Sequence, residues 1–157
     1  MRKILGLTVV ITGAAALAVV AGGPAIAAPQ PSSVRCVEPT QITIRSLTFD
    51  PAVTSPGQTV TATVVARNCT SQTVRASLRW TLRFVGDTPG VPAGCPVVDP
   101  LPVTVGFPPE RSVSSSIDAL VLPSCTARTL EVTARYTDSG GALLDERTRR
   151  VLIVPAG

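Results

Sequence analysis

From Thr73 to Phe84 the chain reads Thr-Val-Arg-Ala-Ser-Leu-Arg-Trp-Thr-Leu-Arg-Phe, and it alternates without a fault. Val74, Ala76, Leu78, Trp80, Leu82 and Phe84 share one phase; Arg75, Ser77, Arg79, Thr81 and Arg83 share the other. Side chains on a strand change face at every residue, so this pattern specifies a long strand with one buried and one wet face. A helix would spread the same residues around its whole circumference. The stretch carries the only tryptophan of the chain and a row of three outward arginines, Arg75, Arg79 and Arg83.

The remaining segments agree with that strand. Gln41 to Phe49 alternates with one fault: Ile42 and Ile44 share a phase, Leu47 and Phe49 the opposite one. A bulge near Arg45-Ser46 would bring both pairs to the core. Asp50-Pro51 ends that strand, and Ser55-Pro56-Gly57-Gln58 is a turn signature. Val60, Ala62, Val64 and Ala66 face inward on a strand from Thr59 to Arg67. A long Gly/Pro loop from Gly86 to Pro100 leads into a short strand, Leu101 to Val105. Phe107-Pro108-Pro109-Glu110 reads as a turn. Arg111 to Leu122 is a serine-rich strand with Val113, Ile117 and Ala119 on one face. Leu130, Val132, Ala134 and Tyr136 face inward on the next, and a last strand runs from about Ala142 to Val154. No window after the N-terminus shows a capped helical period. About seven short strands separated by turn signals predict an all-β antiparallel sandwich.

The N-terminus has a different character. A basic Met1-Arg2-Lys3 precedes an uncharged run from Ile4 to Val20, and Gly22, Gly23 and Pro24 lead to the small-residue triplet Ala25-Ile26-Ala27. This order is that of a secretory signal peptide, residues 1–27. Residues 28–40 then read as a mobile lead-in and 41–157 as the folded domain. A secreted, extracellular protein without stable membrane insertion after cleavage is expected. The mature chain of roughly 130 residues suits one domain with a real core. Once Arg2 and Lys3 are removed, 12 basic residues stand against 10 acidic ones. That balance does not point to nucleic acid as a partner. The chain has no histidine, which removes His-based triads and His metal sites.

Four cysteines, Cys36, Cys69, Cys95 and Cys125, in an exported chain read as two disulfides. Strand directions select the pairing. If successive strands run alternately up and down, Cys36 and Cys69 lie at one end of the sandwich and Cys95 and Cys125 at the other. Disulfide Cα atoms lie within about 7 Å, whereas a nine-residue strand is roughly 30 Å long. Cys36–Cys69 and Cys95–Cys125 are therefore expected. No Cys-x-x-Cys pair exists, so no metal or other cofactor is expected.

Several residues resemble bacterial immunoglobulin-like modules, in particular the cell-adhesion-related domains of exported bacterial proteins. They are Leu47, Pro56-Gly57-x-x-Val60, Asn68 at the strand end, Val132 through Tyr136, Asp138-x-Gly140, and Leu143 onward. Such modules commonly carry Gly just after the Asn; here Cys69 and Thr70 follow. The resemblance implies an immunoglobulin-like β-sandwich that does binding or spacing work and hands over no catalytic positions. In that topology the Arg79 strand neighbours the Leu130 strand, and Glu131 could pair across to Arg79. A second, local likeness is to the reactive loop of secreted bacterial subtilisin inhibitors, over Cys95-Pro96-Val97-Val98-Asp99-Pro100 and Leu101 to Val105. It implies an exposed Val97–Val98 bond on a loop held by Cys95–Cys125, although the Asp comes one residue early.

Other motifs have simpler readings. Asn68-Cys69-Thr70 fits a glycosylation sequon by chance. Asp145 and Glu146 are adjacent carboxylates, but neighbours on a strand point to opposite faces, and Arg147, Arg149 and Arg150 beside them indicate a solvated, ion-paired strand. Ser114 to Ser116 have no base to activate them. An enzyme is not expected. Arg75, Arg79 and Arg83 read either as a wet face whose charges discourage association or as a docking face for an extracellular protein or an acidic cell-wall polymer.

Overall fold

The computed structural model describes Cys36 and residues 41–155, and the expected signal peptide lies outside them. Of the expected lead-in, the described residue is Cys36, joined to Cys69. The strands are β1 (Ile42–Asp50), β2 (Val53–Thr54), β3 (Thr59–Asn68), β4 (Val74–Val85), β5 (Val103–Phe107), β6 (Ser112–Leu120), β7 (Thr129–Thr137) and β8 (Leu143–Ile153). They form a three-stranded sheet, β1-β3-β6, and a five-stranded sheet, β2-β8-β7-β4-β5. The fold is the expected immunoglobulin-like sandwich. All pairings are antiparallel except β2 with β8, which is parallel.

β4 is central. It pairs with β7 over Ser77 to Val85 and with β5 over Val74 to Leu78. Its inward residues Ala76, Leu78, Trp80, Leu82 and Phe84 are all buried. Burying each of the large ones contributes roughly 1.5–3 kcal/mol. Trp80 stands opposite Ala134, so a small residue on β7 makes room for the largest side chain on β4. From the other sheet, Val60, Ala62, Val64 and Ala66 of β3 are completely buried. In β1 the register slips between Ile44 and Ser46, which is the expected bulge. Leu47 is accordingly buried beside Ile42 and Ile44, and Phe49 packs against the same core.

β1 ends at Asp50 as expected, but a short strand that the sequence pattern does not announce follows it: Val53 and Thr54 cross to the edge of the other sheet and pair with Leu152 and Ile153. Two later boundaries differ from expectation. β5 begins two residues later than expected and ends on Phe107, which is core and not turn. Phe107 is fully buried and meets Tyr136 edge-on, with ring centroids 5.4 Å apart. β6 ends at Leu120, and the chain beyond it leads to the buried Cys125. The turn signatures hold: Gly57 has φ +90° and Gln58 N–H donates to the Ser55 carbonyl at 3.1 Å.

Both disulfides have the expected partners, Cys36–Cys69 and Cys95–Cys125. Next to the first, Asn68 is fully buried and ties two connections together. Its Nδ2 donates to the carbonyls of Gln72 (2.7 Å), Phe107 (3.1 Å) and Pro108 (3.1 Å). Its Oδ1 accepts from the N–H and the hydroxyl of Thr70, both at 2.9 Å. The amide is thus consumed inside the fold, in keeping with a chance sequon.

The open side between β1 and β8 is closed by side chains. Asp145 Oδ2 accepts the Ile44 N–H at 2.6 Å, and Arg147 Nη1 donates to the Arg45 carbonyl at 2.9 Å. Asp145 is therefore not the solvated carboxylate its neighbours suggest. It stands in the inward phase opposite Tyr136, where the sandwich is open and the bulged edge of β1 offers backbone groups. The Tyr136 hydroxyl is buried without a hydrogen-bond partner among the described residues. Burial pushes the phenol above its usual pKa, and Ser115 of β6 works against that shift.

Candidate functional surface

The outer face of the five-stranded sheet is set by register. Arg79 of β4 faces Arg135 of β7, which faces Glu146 of β8. Thr81, Thr133 and Thr148 form the next row, and Arg83, Glu131 and Arg150 the one after. Thr133 and Thr148 share a hydrogen bond of 2.7 Å. All three β4 arginines are exposed, as the alternation requires.

The expected Arg79–Glu131 pair does not form. Register puts Glu131 opposite Arg83, and its carboxylate binds Arg150, with Nη2–Oε2 at 2.7 Å. Arg79 instead reaches Asp99 of the Cys95 loop at 3.2 Å. Arg135 pairs with Glu146. Every carboxylate on this face is thus committed to another arginine. Arg83 has no acidic partner among the described residues, and neither has Arg75, which faces Gly106 of β5. Exposed ion pairs of this kind contribute about 0–1 kcal/mol each, so this charge pattern does little for stability. Trp80, Phe84, Phe107 and Tyr136 are all buried, so the face has no aromatic platform on which a neutral sugar ring could stack.

The loop from Gly86 to Pro102 runs along the β4 edge. Cys95 ties it to Cys125, and the Thr126 N–H donates to the Ala93 carbonyl at 3.0 Å. Gly94 has φ +69°, and a Cβ there would sit 2.1 Å from the Ser124 carbonyl oxygen. Val98 forms an isolated bridge with Leu82, and Asp99 is held by Arg79. Between these ties Val97 is 83% exposed and Val98 36%. A shallow cavity of about 380 Å³ beside the loop is lined by Leu82, Phe84, Val91 and Pro96 among others.

A cleft of about 600 Å³ at the same end lies between residues 86–93 and 125–128. Its two charged side chains, Asp87 and Arg128, are paired to each other at 3.2 Å. Among the described residues no three His, Cys, Asp or Glu side chains cluster as a metal site would need.

No protein-family model matches this sequence, and a comparison with curated proteins finds no relative. Solved structures resemble this chain to different degrees. A Pseudomonas fluorescens alkylpurine DNA glycosylase, AlkC, matches with a TM-score of 0.50 at 13% identity, over 73% of this chain and 30% of that one. Bacteroides uniformis beta-glucuronidase 2 matches at 0.46 and 15%, over 71% of this chain and 12% of the other. A PapD-like domain of human CEP192 matches at 0.40 and 18%, over 81% and 96%. This chain spans less than a third of the glycosylase and of the glucuronidase. At these identities the likeness is one of fold alone.

Proposed function

We propose that this chain is a secreted, non-catalytic immunoglobulin-like interaction module whose docking surface is the outer face of the five-stranded sheet. The partner is an extracellular protein or cell-wall polymer that presents phosphate or carboxylate groups. The observation that carries this reading is the charge arrangement on that face: Asp99, Glu131 and Glu146 are each engaged by an arginine, and Arg75 and Arg83 are left over. Arginine suits phosphate and carboxylate because its planar fork makes paired hydrogen bonds. Two disulfides support an oxidising, extracellular setting. No helix among the described residues is long and apolar enough to cross a membrane. The test is co-sedimentation with purified cell walls at several salt concentrations. Wild-type retention should fall as salt rises, and the variant carrying Arg75→Ser, Arg79→Ser and Arg83→Ser should be released. Retention of that variant at the wild-type level would remove the reading.

A second reading rests on the Cys95 loop, because Val97 is exposed while the residues on both sides of it are held. A loop fixed before binding loses little entropy on binding, which is how a tight protease inhibitor works. On this reading the chain inhibits subtilisin-like proteases through the Val97–Val98 bond. Titration against such a protease at micromolar concentration should then give stoichiometric inhibition; rapid cleavage or unchanged activity excludes it.

A further inference from the structure

The four outer edges of the sheets are not alike. β1 is bulged, and its Ile44 N–H and Arg45 carbonyl are taken by Asp145 and Arg147. β2 has only two residues. β5 has five and is bracketed by Pro100, Pro102, Pro108 and Pro109. β6 pairs with β3 over its whole length of nine residues without a register shift. It holds no proline, no basic residue and one acid, Asp118. Natural proteins close or charge their edges because an open edge templates further pairing. Apart from Asp118, β6 carries none of those protections among the described residues.

The direction of its backbone groups follows from the pairing. Val121 N–H and C=O bond Gln58 and Gly57, and the Arg111 carbonyl accepts from Asn68 N–H. In an antiparallel pair, alternate residues exchange both bonds with the same neighbour. Residues 113, 115, 117 and 119 therefore face β3. The N–H and C=O of Ser112, Ser114, Ser116, Asp118 and Leu120 point away from it, and none of them has a partner among the described residues.

We propose that this edge joins a second copy of the chain, antiparallel, about a two-fold axis through Ser116. The proposal is independent of the arginine face, which belongs to the other sheet. With Ser116 on the axis, every outward-pointing residue meets another: Ser114 of one copy faces Asp118 of the other, and Ser112 faces Leu120. That register allows about ten new backbone hydrogen bonds. The side chains suit it. No like charges face one another, because the two Asp118 residues lie on opposite sides of the axis. Each Asp118 uses Oδ1 for the Thr61 hydroxyl at 2.7 Å, and its Oδ2 is open to the Ser114 hydroxyl of the other copy. On the inner face Val113 and Ile117 are only half-buried because β6 ends the sheet. The second β6 would cover them with Ala119 and Ser115.

The mass of the wild-type protein, followed by sedimentation velocity up to high micromolar concentration, should rise from monomer to dimer. Ser116→Pro removes an N–H that β3 does not use, so the monomer loses no backbone hydrogen bond and gives up only the exposed contact of the Ser116 hydroxyl with Thr63 at 2.9 Å; this variant should stay monomeric with an unchanged circular dichroism spectrum. If it does not fold, Ser116→Lys places two like charges on the axis and should give the same result. Facing hydrogen-bonded residues have Cα atoms about 5.5 Å apart, within the span of a disulfide. The Ser116→Cys protein should therefore cross-link to itself on mild oxidation with both native disulfides intact on peptide mapping. The Ser112→Cys protein, which faces Leu120, should not. A wild-type monomer at every concentration overturns the proposal, as does a dimer that survives both Ser116→Pro and Ser116→Lys, or equal cross-linking at positions 112 and 116.

Discussion

Replacing Asn68 should test whether one buried amide holds an end of this sandwich. In Asn68→Ala the three carbonyls now bound by Nδ2 and the two donors of Thr70 lose that contact, although the Thr70 hydroxyl still reaches the Gln72 carbonyl at 3.0 Å and the Pro108 carbonyl still accepts from the Arg111 N–H at 3.3 Å. Nδ2 has two hydrogens for three acceptors, so the amide is worth about four hydrogen bonds, each contributing about 1 kcal/mol net. The Gln72 carbonyl and the Thr70 groups lie near solvent and recover part of that from water. The Phe107 carbonyl contact is buried and does not. A loss of about 3 kcal/mol is expected, or a drop in melting temperature on the order of 10 °C. Equilibrium unfolding in guanidinium chloride with disulfides intact measures it. Asn68→Asp sharpens the test, since it keeps the shape but places a carboxylate against three carbonyl oxygens. Burial and those oxygens disfavour its charged form, so its folded pKa should lie above the unfolded value of about 3.9. The stability it retains is then fully present below that value and lost as pH rises through the folded pKa. A loss under about 1 kcal/mol for the alanine variant, set against the 0.5–1.5 expected of a single bond, or a pH-independent aspartate variant, would refute the account.

Three further outcomes are expected. Tyr136→Phe should change stability by less than about 1 kcal/mol at neutral pH, because the hydroxyl it removes makes no close hydrogen bond and has in Ser115 only a weak partner. Above about pH 10 the wild type should lose stability that this variant keeps: the native phenol pKa is raised, so its contribution is complete below the unfolded value and lost as pH rises through the native one; thermal melts from pH 8 to 11 check both statements. Gly94→Ala should cost about 1–3 kcal/mol through its positive φ and the Ser124 carbonyl, read by chemical denaturation. Removing either disulfide as a pair of alanines should cost a similar amount, about 3–4 kcal/mol, since the sequence separations are 33 and 30; only loss of Cys95–Cys125 should speed proteolytic nicking near Val97.

The long strands were legible because their periodicity reports burial directly. β4, β3 and β7 place their inward residues where the alternation puts them. The pairing of Glu131 was not legible, for a reason that also comes from periodicity. Sliding β7 by two residues along β4 leaves every side chain on the same face, so the in–out pattern cannot choose between registers. The choice lies in tertiary packing, which sets Trp80 against Ala134 and so sets Arg79 against Arg135. β2 is two residues long and has no period to read. Phe107 stands before two prolines, which read as a turn, yet its pairing with Val74 keeps it in the inward phase. Asp145 shows the converse: a charged residue in the inward phase is unremarkable where the layer is open and a bulged neighbour offers an N–H. The excess of arginine on the outer face was legible as composition. Which arginines remain free was not, because Asp99 arrives from a loop whose path no strand pattern describes.

The division of the core explains why the two ends carry so many ties. Its buried aromatics come from one sheet: Trp80, Phe84, Phe107 and Tyr136 all belong to the five-stranded layer, and the other layer adds only the partly buried Phe49 of β1. The three-stranded layer answers with small residues on β3 and β6, namely Val60, Ala62, Val64, Ala66 and Ala119, and with larger ones mainly on β1. Large against small is how facing sheets interdigitate without voids. An alanine contributes little buried area, however, so the β3–β6 half of that layer gains less from packing than β1 does. Three of the fixed connections lie where that shortfall would matter. Cys36–Cys69 and the Asn68 amide hold the end of β3, and the Asn68 N–H bond to the Arg111 carbonyl holds the start of β6. Asp145 and Arg147 hold β1 to the opposite sheet. The covalent and hydrogen-bonded ties thus stand in for apolar area that the small residues do not provide, and the far edge of β6 is the part of the layer with no neighbour on its outer side among the described residues.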